Sequence, residues 1–150
     1  MSDFTYHPAQ CIRQVEEIIG YEFKDKSLLD RALQAAGFGV LREGNKPLAL
    51  IGDATLRLVI GTMGYETNSS IGRTTQLHDT WAANENLWRI GFAKNLDIFI
   101  HLNPSSGGVV QDRLMATTME AILGAVYLDS GKDIAAVLRV VINLGLTDDA

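Results

Sequence analysis

Asn45-Lys46-Pro47-Leu48-Ala49-Leu50-Ile51-Gly52-Asp53-Ala54 reads as the opening of a long helix. A second stretch, Met115-Ala116-Thr117-Thr118-Met119-Glu120-Ala121-Ile122-Leu123-Gly124-Ala125, reads the same way. Side chains three, four and seven residues apart lie on one face of a helix. Lys46, Ala49 and Asp53 therefore share a face of the first stretch, and Thr117 and Glu120 share a face of the second. These two stretches hold the chemistry of the chain, and the rest is read outward from them.

The pattern around them is helical almost throughout. Cys11, Ile12, Val15, Ile18 and Ile19 recur at helical spacing behind His7-Pro8, and Gly20 closes that helix. Ser27 is the expected N-cap of a second helix carrying Leu28, Leu29, Ala32, Leu33 and Ala36. Gly37, Gly39 and the segment Arg42 to Asn45 form a loop. The third helix is expected from Lys46 or Pro47 to about Met63. Leu50, Ile51, Ala54 and Leu58 should face inward, and Gly64 with Thr67 to Ser70 should end it. Further helices are expected over Thr74 to Ala83 and after Asn84, the latter with Leu87, Ile90 and Phe92. Asn103 to Gly108 is a loop. A long helix covers about Val110 to Leu128, and a final one carries Ile134, Val137, Leu138 and Val141. The Asp148-Asp149 tail is expected to fray. No internal repeat and no low-complexity linker interrupts the chain.

A chain of 150 residues suits one domain, 1-150, and can bury a real core, here expected over about residues 8-145. Hydrophobic residues make up 47% and charged ones 21%, which is ordinary for a globular protein. No apolar run reaches the roughly 18 residues a membrane span needs, so no membrane contact is expected. Met1-Ser2-Asp3-Phe4 lacks a basic segment followed by an apolar one, so secretion is not expected. The expected place is intracellular, cytoplasmic or nuclear. The one cysteine, Cys11, can form no internal disulfide. On its apolar stripe it reads as a small buried hydrophobe. The net charge of −5 has the wrong sign for strong non-specific nucleic-acid binding, and the basic residues are scattered singly. No DNA partner is expected. His7, His78 and His101 lack metal-ligand spacing. Trp81 and Trp88, seven apart, could share a face, with core packing as the default. Gly107-Gly108 follows no strand and is not a phosphate-cradling loop.

The two stretches resemble the metal-binding helices of the ribonuclease III domain. In that family the first reads N-E-R-L-E-F-L-G-D and the second A-D-T-V-E-A-L-I-G-A. The resemblance continues outside them. Glu17 to Phe23 resembles the family's opening helix ending in G-Y-x-F, followed by Leu28-Leu29 and Ala32-Leu33. Asn84, Leu87, Ile90 and Ala93 resemble the N-x-x-L-x-x-I-A segment, and Glu120 to Asp129 matches closely. Order and spacing agree from about residue 14 to 145. The resemblance implies an all-α fold, the ribonuclease III endonuclease-domain helical fold, with about seven to nine helices. No double-stranded-RNA-binding domain is read in the chain. The family pairs as symmetric homodimers through an apolar face that includes the first-motif helix, so a homodimer is expected.

The resemblance also implies a metal site, and here the sequence departs from it. In the family, carboxylates on the two helices hold divalent ions, normally magnesium, which drive phosphodiester hydrolysis. Lys46 and Ala49 stand where the first motif carries glutamates, and Thr117 stands where the second carries aspartate. Asp53 and Glu120 remain as catalytic and metal-ligand remnants. A lysine at ~4 Å opposes each unit of positive charge by about 4 kcal/mol at an effective dielectric of ~20. No resident cofactor is expected, and Mg2+ or Mn2+ if any. The expectation is that Lys46 replaces the metal by pairing with Asp53, Glu120 or both. The plainer readings make Lys46 a surface lysine, Asp53 and Glu120 solvated helix charges, and Thr117 a helix-packing residue.

Three functions follow from the resemblance. One is a non-catalytic domain in RNA processing that binds double-stranded RNA or a protein partner. The second is an active magnesium-dependent endoribonuclease on double-stranded RNA. The third is a structural dimerisation subunit of a larger ribonucleoprotein complex.

Overall fold

The structure is a computed structural model that describes residues 8–39 and 42–147. Within them the chain forms seven α-helices and two short 3₁₀ turns, with no strand among the described residues. The helices are α1 (Ala9–Ile19), α2 (Lys26–Ala32), α3 (Lys46–Glu66), α4 (Ile71–Trp81), α5 (Asn84–Ala93), α6 (Asp112–Asp129) and α7 (Ile134–Leu144). The all-α expectation holds. His7 and the Asp148-Asp149 tail lie outside the described residues.

α3 and α6 pack along one another at the centre, and every other helix is laid on this pair or on its neighbours. α6 is the most enclosed element. Met115, Met119, Ile122 and Leu123 are fully buried, and the neighbouring alanines pack between them. The two central helices approach at backbone distance because both carry glycine at the crossing. A Cβ on Gly52 would strike the Glu120 carbonyl, and one on Gly124 would strike the Leu48 carbonyl. Only residues without a side chain allow this contact, and it places the two motifs face to face.

Several local expectations are corrected. The second helix is capped by Asp25, whose carboxylate accepts from the Ser27 amide at 3.0 Å and from the Ser27 hydroxyl at 2.6 Å. Ser27 thus lies inside the helix. This helix stops at Ala32, before Leu33 and Ala36. Beyond it the backbone pairs with a distant strand-like segment instead. The Ala35 amide donates to the His101 carbonyl at 2.8 Å, and the His101 amide donates to the Leu33 carbonyl at 2.8 Å. Asp129, at the end of α6, ties down the approach to α2. It accepts from the Tyr21 hydroxyl and from the Lys24 and Asp25 amides at 2.8–2.9 Å.

The largest correction concerns the face of α3. Leu50 and Leu58, expected inside, are 74% and 55% exposed. Ala54 is exposed too, and Ile51 is half-buried. The residues that face the core are Leu48, Ala49, Gly52, Thr55, Leu56, Val59 and Ile60. α3 is apolar on most of its circumference, so periodicity alone does not choose a side. The Gly52–Gly124 contact chooses it. α3 also runs through Gly64, which is buried against Thr74 of α4, and ends at Glu66. α4 correspondingly starts at Ile71, with Ser70 as its cap accepting from the Arg73 amide at 3.0 Å.

At 21 residues α3 is long and apolar enough to cross a membrane by length and composition, but 44% of its apolar window is buried inside this fold. It is the core helix of a helical domain. Trp81 and Trp88 lie on different helices, α4 and α5, so their spacing does not put them on one face. Trp81 packs in the core, and Trp88 meets Phe92 edge-on. Cys11 is half-buried and packs against the core.

Candidate functional site

One open cleft of about 880 Å³ lies where the first turns of α3 and α6 converge. Lys46, Ala49, Asp53, Thr117 and Glu120 all line it. The five positions singled out on two separate helices are thus brought to one place. Ala35, Ala36, Leu102, Asn103 and Ser106, from the two segments bridged through Leu33, Ala35 and His101, close one wall. Val109, Gln111, Arg113 and Leu114 close another.

Asp53 and Glu120 are both half-buried and lie beside each other in the cleft. A carboxyl beside a second carboxylate is harder to ionise, because like charges at this range resist joint ionisation. Burial first, then the charge of Asp53 and the hydrogen bond to it, push the Glu120 carboxyl from 4.5 up to about 7. The folded state therefore binds this proton more tightly than the unfolded chain does. The stability tied to it is present in full below about pH 4.5 and is lost as pH rises through about 7. Glu120→Gln removes the ionisation. Its melting temperature should exceed that of wild type at pH 8 and match it at pH 4.5. The gain at pH 8 is expected near ~1 kcal/mol, since solvent screens a half-exposed group. Equal melting profiles across this range would mean that burial and the Asp53 charge do not raise the Glu120 carboxyl.

Lys46 does not behave as expected from the sequence. It lies exposed at the mouth of the cleft, and no ion pair joins it to Asp53 or Glu120. A flexible surface lysine gains little from fixing its side chain beside a half-exposed pair. Thr117 packs within its own helix, its hydroxyl donating to the Arg113 carbonyl at 3.0 Å. Ala49 is 7% exposed and leaves the wall bare where a longer side chain would reach in.

Asn45, read from the sequence only as the first residue of its motif, has a larger part. It is 1% exposed and lines the cleft. Its amide nitrogen donates to the Ala32 carbonyl at 2.9 Å and to the Thr118 hydroxyl at 3.0 Å, tying the end of α2 and the start of α3 to the body of α6. Its amide oxygen is buried with no hydrogen-bond partner. Arg113, one turn before Thr117, is a second residue that spacing could have flagged. His78 and His101 take no common position. His78 sits half-buried on α4, and His101 stacks on Phe38 at 4.7 Å. Among the described residues no group of three or more His, Cys, Asp or Glu side chains could hold a metal ion.

Comparison with known proteins agrees with this geometry. A profile of the family described as Ribonuclease-III-like matches residues 25–143. A Ribonuclease 3 of Bdellovibrio bacteriovorus is 34% identical over 132 residues, covering 82% of this chain and 56% of the relative. A Ribonuclease 3 of Caldanaerobacter subterraneus subsp. tengcongensis is 34% identical over 141 residues, covering 87% of this chain and 60% of the relative. The chain therefore spans little more than half the length of the curated relatives it matches. Among solved structures, the nuclease domain of ribonuclease III from Campylobacter jejuni superposes with a TM-score of 0.78 at 28% identity. That match covers 91% of this chain and 97% of the other. The C. jejuni structure is described for flexibility in a region involved in dimer formation.

Proposed function

The chain belongs to the ribonuclease-III-like family, and from that footing we propose that it is a non-catalytic member, a homodimeric domain that binds RNA or a protein partner in RNA processing. The observation that carries this reading is the donor set in the cleft. Five positions converge there, but only Asp53 and Glu120 bring carboxylates. Magnesium requires several hard oxygen ligands in near-octahedral geometry. Two carboxylates, beside Ala49, Thr117 and an exposed Lys46, are too few for that ion, and no hydrolytic step is assigned through it. Lys46, Ala49 and Thr117 are on this reading the substitutions that disarm the site.

The dimer rests on the outward face of α3. Leu50, Ala54, Leu58, Gly61 and Tyr65 form an exposed apolar stripe, and Ala54 to Glu66 border a shallow groove along it. A contiguous apolar patch of this kind marks an association surface, and a two-fold pairing is the commonest way to cover one. The retained Asp53 and Glu120, and relatives that bear the name Ribonuclease 3, favour the competing reading of a magnesium-dependent endoribonuclease on double-stranded RNA.

One preparation separates the two. At tens of micromolar (about the range where weak family dimers persist) the protein is expected to scatter light as a dimer. Incubated with long double-stranded RNA and MgCl2 or MnCl2, it is expected to leave the RNA uncut. Cleavage by wild type that Asp53→Asn abolishes would establish the enzyme and defeat the proposal. A monomer would defeat the dimer.

A further inference from the structure

The charges of α3 carry a direction. Along the helix they are Lys46, Asp53, Arg57 and Glu66, in the order plus, minus, plus, minus. A second copy of α3 laid parallel on the first would set each charge against its own kind. Laid antiparallel, it sets Lys46 toward Glu66 and Asp53 toward Arg57. The exposed stripe runs from Pro47 to Tyr65, so its midpoint is level with Leu56. An antiparallel pair centred there also matches side chains by size. Leu58 lies over Ala54, Ile51 over Gly61 and Tyr65 over Pro47, large on small, as close packing requires. Lys46, Asp53 and Arg57 follow one another at seven and four residues, so they share one edge of the stripe. That edge borders the cleft, which Lys46 and Asp53 line. In a two-fold contact residue i meets j while j meets i. In an antiparallel pair each edge then faces the same edge of the partner. Arg57 thus comes within about two residues, or ~3 Å of helical rise, of the level of Asp53 on the other copy. Arg57 is exposed, and among the described residues no ion pair joins it or Asp53 to its own chain.

We propose that a second copy of this chain packs its α3 antiparallel on the stripe, centred level with Leu56, and that the partner's Arg57 enters the cleft beside Asp53. This inference rests on the homodimer reading above and adds to it an orientation, a register and a residue. The cleft of one copy is then incomplete, because a cation that meets Asp53 comes from the other. A guanidinium suits that place. Its planar fork matches a carboxylate, and it is less strongly hydrated than an ammonium, so it enters a half-buried contact at lower cost. Two such pairs form, one on each side of the two-fold axis, and the interface around them screens them less than open solvent would.

The test is sedimentation equilibrium of the full chain, with circular dichroism to show that each variant is folded. Arg57→Asp and Asp53→Arg should each raise the dimer dissociation constant about tenfold or more, because each sets like charges together twice across the axis. Mixed in equal amounts, the two variants should form a heterodimer about as tight as the wild-type dimer, because both pairs are then restored with their charges exchanged. Disulfide formation reads the register should Asp53→Arg fail to fold. In a Cys11→Ser background, an equal mixture of Ala54→Cys and Leu58→Cys proteins should yield a covalent heterodimer on oxidation. Tyr65→Cys alone should yield none, since its two copies would lie about 27 Å apart along the pair. A wild-type dimer whose dissociation constant Arg57→Asp leaves unchanged would overturn the placement of Arg57 and leave the homodimer standing. Cross-linking by Tyr65→Cys alone would overturn the antiparallel order. A wild-type monomer would remove the homodimer reading, and this inference with it.

Discussion

Gly52→Ala is expected to lower the unfolding free energy of this domain by about 3 kcal/mol. The added methyl points at the Glu120 carbonyl of α6, which is backbone and cannot swing aside. The two central helices must then separate, and their separation loosens the contacts of α6, the most enclosed helix in the fold. Alanine gains ~1 kcal/mol of helix propensity over glycine at such a site, which is smaller than the cost of forcing a packed crossing apart. Gly124→Ala, which meets the Leu48 carbonyl, should act in the same direction. Gly72→Ala is the control. Its Cβ would meet only the Ser70 hydroxyl oxygen, at 3.9 Å. It should melt at or slightly above wild type. For a domain of this size a 3 kcal/mol loss corresponds to roughly 6–12 °C in Tm. Indistinguishable melting of the Gly52→Ala and Gly72→Ala proteins would refute the close crossing, and with it the geometry that brings Asp53 and Glu120 together.

The triple variant Lys46→Glu, Ala49→Glu, Thr117→Asp is expected to acquire a magnesium response, and wild type is expected to show none. The three positions already line the cleft with Asp53 and Glu120, so the change adds ligands without moving the backbone. Without metal the added carboxylates repel one another, and the variant should melt below wild type in EDTA. With Mg2+ at ~100 times its dissociation constant, binding to the folded state alone would add about 2.7 kcal/mol. The melting temperature should therefore rise steeply with MgCl2 in the variant and stay flat in wild type. If the ion also engages RNA, cleavage of long double-stranded RNA should appear only in the variant. A variant that folds but melts identically in MgCl2 and EDTA would show that more than these three side chains separates this cleft from a metal site.

The site was largely legible in the sequence because its residues sit on two helices, where spacing alone determines the shared face. Lys46, Ala49, Asp53, Thr117 and Glu120 needed only that the two helices cross, and the glycines that let them cross are inside the same motifs. What those side chains do once assembled was not legible. Lys46 lies exposed and burial raises the Glu120 carboxyl, because the outcome depends on burial and solvent access that spacing does not contain. Asn45 was passed over for a similar reason. Its amide reaches Ala32 and Thr118, one thirteen residues away and the other on another helix.

The sequence by itself determined the helical class, the positions of most helices, the family and the five residues of the cleft. The helices follow from periodicity and from glycine and proline placement, and the family and the five residues from the two motifs that resemble it, all of which are local. Tertiary structure alone decided which side of α3 is inside. That helix is apolar nearly all round, and its own sequence favours no face. The backbone crossing with α6 turned Leu48, Leu56 and Ile60 inward and left Leu50, Leu58 and Tyr65 on the surface. It likewise ended α2 at Ala32, because hydrogen bonds between Leu33, Ala35 and His101, far apart in the chain, displaced another helical turn.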